Sequence, residues 1–464
     1  MPGIASQWSL SADGLTWTFT IRKEVKFHDG SEVTPQDVLW SFKHYFGPES
    51  LNYSTASYAL LVARLTDEIK LTEPDKVSLT TRKPNPEFAD LLSEVSNSTG
   101  LSVMPKRAKV HDTEEEAGYD KRPIGAGPMK LVNRVQASVM TFERFDDFYY
   151  QPKNGFPEDK RVHFKSLDMF LVPEEATRVA AIRAGEADIA PASLATRKQV
   201  EAGGGRLVFV QEGNTVEAMW VGCWEPQYRC QDKRVRQALD YAINKELIRD
   251  TLYGREVFHV KGWGVATPST MGYTPALDPR PFDPNKARQL LADAGYAGGK
   301  AFGKLIMVTP PSSPLPLTVE GAQLVADSWK RELGLDVEVK VLDTTAITKR
   351  RDAGELNDQI YWYPNETRTD PTGFIDKRYG SPDHSQRLHA NPELFPLVQT
   401  AVSILDPDKR AEAYKKLFPR LREEAYQLTV GYANTPWAVG PRVLTWVPYP
   451  LVAHPAALHT VTLK

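Results

Sequence analysis

Residues 7–42 read QWSLSADGLTWTFTIRKEVKFHDGSEVTPQDVLWSF, and the fold is read outward from this stretch. Leu15, Trp17, Phe19 and Ile21 alternate with Thr16, Thr18 and Thr20, the two-residue period of a half-buried strand. Asp13-Gly14 ahead of it is a hairpin-turn pair. Thr34 is placed to cap a helix that Pro35 opens and Asp37 supports in its first turn. Val38, Leu39, Phe42 and Tyr45 then supply that helix with an apolar face.

A chain of 464 residues has room for about three domains. Its 57 Lys and Arg against 59 Asp and Glu leave a net charge of -2, which argues against a broad nucleic-acid surface or a polybasic membrane patch. The 35 prolines punctuate many short elements. No apolar run approaches the ~18 residues that span a bilayer, and neither a basic start nor an apolar leader core follows Met1.

Further along, a strand pair is expected near 67–82. A strand at 166–172 leads to a helix near 174–184 that Gly185 closes, and a short strand follows at 187–190. Strand 215–221 precedes Cys223 and Cys230, then a helix over 233–253 capped by Asp232 and stopped by Gly254. Asp283-Pro284 opens another helix. Strand 304–308, a Pro-rich loop at 310–316, helix 318–333, strand 337–341, helix 345–353 and strand 358–363 form a second α/β unit. Helix 407–425 carries Pro419, which should kink it. Gly125 and Gly127 lack the third glycine of a phosphate loop, and Pro128 blocks a helix start there, so the segment reads as a turn. The two cysteines stand seven apart; a small disulfide is favoured over two free thiols, in keeping with an oxidising compartment.

As strings, several of these segments resemble the family 5 extracellular solute-binding proteins, the peptide, nickel and oligosaccharide receptors of ABC importers. Residues 7–42 resemble the family's opening signature. Pro123-Ile124-Gly125-Ala126-Gly127-Pro128 resembles its Pro-x-Gly-Thr-Gly-Pro segment. Pro173, Glu174, Arg178, Ile182, Gly185, Glu186 and Asp188 follow its pattern around a helix and strand. Arg234-Val235-Arg236-Gln237-Ala238-Leu239, DPNKARQLLADAGY from Asp283, and Trp362 followed by Asp370-Pro371 complete the series in the family's order. The resemblance implies an α/β, two-lobed periplasmic-binding-protein-like fold of type II, in its large three-subdomain variety, with a hinge between lobes. On that reading, residues 1–155 are an accessory subdomain of lobe I. Residues 156–258 plus 438–464 are its main α/β subdomain, 259–437 are lobe II, and the chain crosses between lobes near 255–262 and 434–440. The segment Pro2-Gly3-Ile4-Ala5-Ser6-Gln7-Trp8 matches one that family members carry after an export signal and roughly 50 mature residues, so an N-terminal segment is expected to be missing.

Ligands of open α/β sheets sit beyond the carboxyl ends of strands. Three loops meet that rule: Asn214 with Trp220 on the following strand, Trp263 at the expected crossing, and the loop holding Trp362, Tyr363, Thr367, Arg368 and Asp370. These eight are the candidate ligand-binding residues; aromatics offer area at low entropy cost. Peptide-binding members of the family hold the amino group with an aspartate where Thr367 stands, and dipeptide-specific members hold the carboxylate with an arginine where Ser312 aligns. Without either charge a dipeptide is disfavoured. Oligopeptides, oligosaccharides, opine-like conjugates and an organic anion paired with Arg368 remain.

No His-Glu-x-x-His, Gly-x-Ser-x-Gly or catalytic cysteine context is present. His28-Asp29-Gly30 resembles a structural turn of the family. His111-Asp112 with Glu114, Glu115 and Glu116 reads as a solvated acidic helix rather than a metal site. No catalytic residue, metal site or cofactor is therefore expected. The expected activity is that of a periplasmic or extracellular receptor, monomeric and membrane-associated in its native full-length form. It would deliver a peptide-like or other small organic solute to ABC permease subunits, without nucleic-acid partners. A hydrolase or ligand sensor reusing the fold is the alternative.

Overall fold

A computed structural model describes residues 3–46, 66–88, 92, 102–106, 123–311, 315–382, 386–452 and 455–464. Ser312 and the acidic stretch 111–116 lie outside the described residues.

The opening stretch folds as its alternation dictates. Strands β1 (Ala5–Leu10) and β2 (Thr16–Ile21) pair antiparallel across the Asp13-Gly14 turn. They join β3 (Thr66–Glu73) and β4 (Lys76–Thr81) in a sheet of order β1-β2-β4-β3. Trp17, Phe19 and Ile21 point inward against Val38, Phe42 and Phe46 of the helix Pro35–Phe46. That helix starts where expected: the Thr34 amide donates to the Asp37 carboxylate at 2.8 Å, and the Asp37 amide donates back to Thr34 Oγ1 at 3.3 Å. His28 is structural, as its turn implied. Its Nδ1 accepts from the Gly125 amide at 3.2 Å and its Nε2 sits 3.1 Å from the Gly127 carbonyl, tying the opening turn to the 123–128 loop. Beyond that loop, β5 (Met129–Val135), β6 (Val139–Arg144) and β7 (Ser166–Phe170) form a three-stranded sheet.

The second half of the chain is organised by a seven-stranded sheet. β8 (Ile189–Pro191) pairs with β14 at its margin, and the main order is β10-β14-β9-β13-β11-β12. β9 (Arg206–Val221) and β14 (Gln427–Val439) are long neighbours. β10 (Phe258–His259), β11 (Leu305–Thr309), β12 (Val337–Val341) and β13 (Gln359–Glu366) complete the sheet. β11 runs parallel to both β12 and β13, whereas β9 is antiparallel to both of its neighbours, β13 and β14. β15 (Val443–Thr445) and β16 (Thr462–Leu463) pair with each other. The C-terminal stretch packs back against β9, since Arg206 donates to the Val443 and Leu444 carbonyls and the Leu451 amide donates to the Gln211 carbonyl.

Three sequence expectations need correction. The predicted helix 233–253 is broken: Lys233–Tyr241 ends at Ala242, and Asn244 caps a new start by accepting from the Leu247 amide at 3.0 Å. Residues 216–258 belong to the core of 259–433 rather than to the preceding unit. Val235 and Leu239 pack with Leu291 and Trp329 in one cluster, and Trp329 Nε1 donates to the Leu239 carbonyl at 2.8 Å. Consequently the crossing expected near 255–262 falls earlier, inside β9. Its first part, Arg206–Val210, pairs with Val439–Thr435, while Asn214–Val221 pairs with β13 on one side and with Ala433–Gln427 on the other. The second expected crossing, 434–440, overlaps β14, whose ladder with β9 shifts register between Ala433 and Thr435. Pro419 sits inside the helix Pro407–Glu424.

Candidate functional site

β9 and β14 pair on both sides of a break in their ladder, and that break is stitched by short polar side chains. Glu212, at φ 50, takes the left-handed conformation that marks a bulge. Its amide donates to Asn434 Oδ1 at 2.9 Å, its carboxylate accepts from the Ser269 amide and hydroxyl at 3.1 and 3.0 Å, and its carbonyl accepts from the Thr367 hydroxyl. Thr270 Oγ1 donates to the Arg368 carbonyl at 2.7 Å, and Thr435 Oγ1 donates to Asn214 Oδ1 at 3.3 Å. The carboxyl end of β13 therefore meets β9 beside its break, and the carboxyl end of a strand is the position at which an open sheet receives ligand.

Strand parity decides which side chains face the ligand side. Residues opposite one another across a ladder share a face. Trp220 lies opposite Ile360 and Ala218 opposite Trp362, and all four belong to the core beneath the helix Thr318–Leu333. The other parity (Glu217 opposite Tyr363, Met219 opposite Tyr361, Thr215 opposite Asn365) faces away from that helix. On this second face a cavity of about 640 Å³ opens between β9, β13, the helix Thr344–Asp352 and residues 377–378 and 386–388.

The eight candidate residues separate accordingly. Tyr363 lines the cavity, its ring stacked 5.3 Å from Tyr361. Trp362 is fully buried on the opposite face, where its indole N–H donates to the Thr318 carbonyl at 2.8 Å and its ring touches Gly321. Trp220 closes the floor between the cavity and the core with its ring in the core. Trp263 is also core, wedged near Tyr379 and Phe418. Asp370 is committed elsewhere. It accepts from Arg410 at 2.6 Å in a buried pair and from the Thr372 amide at 3.0 Å, capping the turn after Pro371. Thr367, Arg368 and the buried Asn214 gather at the stitched crossing. Cys223 and Cys230 are joined by a disulfide that closes the loop after β9.

Residues that sequence reasoning passed over dominate the cavity face. Glu217, fully buried, accepts from Arg378 at 3.0 Å, Asn365 at 2.6 Å and Gln427 at 2.8 Å. Burial pushes its carboxyl above the usual range despite the Arg378 charge, and burial pulls the guanidinium of Arg378 down. Tyr379 donates to Gln427 at 2.8 Å and closes this network. The available signal was the alternation itself: Glu217, Met219, Tyr361, Tyr363 and Asn365 are the odd positions of two strands whose even positions are core.

Compared with known proteins, the chain matches the family model of the bacterial extracellular solute-binding proteins, family 5 Middle, over residues 1–385. It belongs to that family. Among its family 5 relatives, heme-binding protein A of Haemophilus influenzae is 26% identical over 97% of this chain and 82% of its own length. The dipeptide-binding protein of Escherichia coli is 24% identical over 98% and 85%. The periplasmic binding protein DppA from Helicobacter pylori, in complex with the peptide STSA, superposes with a TM-score of 0.80 at 21% identity, covering 100% of this chain and 89% of that one. AgaA in complex with agropinic acid superposes equally well at 19% identity, covering 100% and 90%. The two-lobed type II fold of family 5 is therefore the fold of this protein.

Proposed function

We infer that the protein is the solute-capturing receptor of an ABC importer. The observation that carries this is the family match across residues 1–385, joined to the two-lobed fold that the family's solved structures share. Its relatives and structural neighbours are transport binding proteins for peptides, haem, nickel complexes and opines. The protein acts outside the cytoplasmic membrane. Its working partners are a small solute or peptide and the permease subunits that receive it.

The mechanism follows from the crossing. Solute held at the carboxyl end of β13 contacts lobe II directly and touches lobe I only when the lobes approach. The closed state then gains contacts that the open state lacks, and the equilibrium shifts by that difference. Bending at 211–214 and 433–435 supplies the motion. We read the protein as a monomer that performs no chemistry on its cargo: Asp370 is locked to Arg410, and His28 is locked between two loops.

The test is a thermal-shift screen of peptides, haem, nickel–histidine and opine-like acids, followed by X-ray scattering with the hit. A saturable rise in melting temperature together with a smaller radius of gyration is expected. Conversion of the hit into product, or a rise with no compaction, would overturn the receptor mechanism.

A further inference from the structure

The break between β9 and β14 is bridged by a side-chain amide whose orientation two backbone groups dictate. Asn434 sits between Ala433 and Thr435, where the ladder shifts register. Its Oδ1 accepts from the Glu212 amide at 2.9 Å, and a backbone N–H can only donate. Its Nδ2 faces the Glu256 carbonyl at 3.3 Å, and a carbonyl can only accept. Turning the amide over would set oxygen against oxygen and N–H against N–H. The same Nδ2 lies 3.3 Å from Nε2 of His259. Because Nδ2 is held as a donor, that ring nitrogen is the acceptor. The ring is therefore neutral, with its proton on Nδ1.

His259 ends the two-residue strand β10, is half-buried, and stacks its ring 4.8 Å from that of Tyr432 on β14. The Asn434 amide donates to the Val257 carbonyl at 2.8 Å, so the edge strand, β14 and β9 meet at this one asparagine. Charged groups around the ring come from several elements. Lys261 just after β10 and Arg249 on the helical segment Arg249–Tyr253 disfavour a further positive charge. Glu212 on β9 favours one, but its carboxylate is engaged by the Ser269 amide and hydroxyl. Glu256 offers Asn434 its backbone, its carboxylate being paired with Arg197 at 2.7 Å. Asp278, beyond Tyr432, accepts from the Gly262 amide at 3.0 Å and the Tyr273 hydroxyl at 2.8 Å. Tyr432 itself stays neutral, its hydroxyl pushed up to about 12 by burial.

We propose that His259 is a proton-sensitive latch on this break: the neutral ring holds Asn434 across the two strands, and a proton taken up from water at Nε2 sets donor against donor and frees it. Burial first, then Lys261, with Arg249 adding to them against Glu212, brings the ring's midpoint below the ordinary 6.5. The latch is thus shut at neutral pH and opens in acid. It belongs to the ladder itself, so its test needs no solute and its failure leaves the receptor reading untouched.

Histidine-ring NMR on the full chain, titrated from neutral pH into acid, reads the site directly. The His259 signal is the one of nine that His259→Gln removes. At neutral pH its nitrogen shifts should show a proton on Nδ1 and none on Nε2, with a midpoint below 6.5. Hydrogen exchange followed by mass spectrometry, corrected for the intrinsic rate, is then compared on either side of that midpoint. Peptides over 208–216 and 428–437 should lose protection about 2- to 10-fold in acid, while a peptide over β11 stays unchanged. Glutamine presents an acceptor at every pH, so His259→Gln should hold protection at the break flat. Lysine donates at every pH, so His259→Lys should begin in the loosened state. Asn434→Asp turns the neighbour into an acceptor and should raise the midpoint of His259 above its native value. A proton on Nε2 at neutral pH, or native protection at the break that ignores the titration, would overturn the latch. Equal acid loosening in His259→Gln would overturn it too. Should Asn434→Asp fail to fold, the native titration and His259→Gln decide the outcome without it.

Discussion

Replacing Arg378 by methionine probes the network under the cavity floor. Glu217 is wholly buried and accepts three hydrogen bonds, and among the three donors Arg378 is the cation. Arg378→Met removes that charge along with the bond to Asn365 at 3.1 Å. Stranding one member of a buried pair costs about 3–5 kcal/mol, a large share of the ~5–15 kcal/mol that stabilises a folded domain. At about 2–4 °C per kcal/mol for a unit of this size, the melting temperature should fall by at least ~6 °C. The sign with pH follows from the raised carboxyl of Glu217. A folded-state value above the unfolded one means that the native state binds the extra proton, so the variant should regain stability as pH falls from neutral towards the unfolded-state carboxyl value. Adding Glu217→Met should recover most of the loss, because an apolar pair of similar volume strands nothing. Urea unfolding of the four proteins at two pH values makes the cycle. If Arg378→Met alone is within ~1 kcal/mol of the native protein, or if the double variant is worse than the single, the pair does not work as argued.

Trp362→Ala should cost about 3–5 kcal/mol in urea unfolding with or without solute, as a buried truncation does, while Tyr363→Ala should weaken binding and leave the ligand-free melting curve nearly unchanged. Gly431→Ala would set a Cβ 2.2 Å from the His259 carbonyl; a loss of about 1–3 kcal/mol is expected from the displaced β10, read by thermal unfolding. Burial holds His389 down to about 4 from an ordinary 6.5. Its neutral form is therefore the native one, and stability should fall by roughly 3 kcal/mol as pH drops from 6.5 to 4, a slope that His389→Gln should flatten in acid titrations followed by circular dichroism. Cys223→Ser with Cys230→Ser opens a short loop and should cost about 2.5 kcal/mol by chain entropy, measured by denaturant midpoint.

What was legible in the sequence was local. Thr34-Pro35 with Asp37, Asp232, and Asp283-Pro284 mark helix starts because a cap satisfies amides within its own turn. The crossing strands were not legible for the complementary reason. β14 reads QLTVGYANTPWAV, and Gly431, Asn434 and Pro436 are ordinarily loop punctuation, yet the whole strand is buried because neighbours 200 residues away pair with it. The expected strand 215–221 covers only the later part of β9, Arg206–Val221, for the same cause. In the candidate site, preference for tryptophan selected Trp220 and Trp362, both of inward parity, over Tyr361 and the charged residues of the opposite face. Bulk announces itself in a sequence; which side of a sheet it occupies is settled only once the register with a distant strand is known.

The two crossing strands are hydrogen-bonded to each other on both sides of the polar junction, and that governs how force passes through the molecule. A paired ribbon resists extension and sliding, since either would break several ladder bonds at once. It yields to flexure out of its own plane, which breaks none. Approach of the halves is thereby confined to essentially one angular coordinate, and little entropy is lost in searching others. A permease that grips both halves would feel cargo-induced rotation as a single torque, set by the stiffness of a few residues around Glu212 and Asn434.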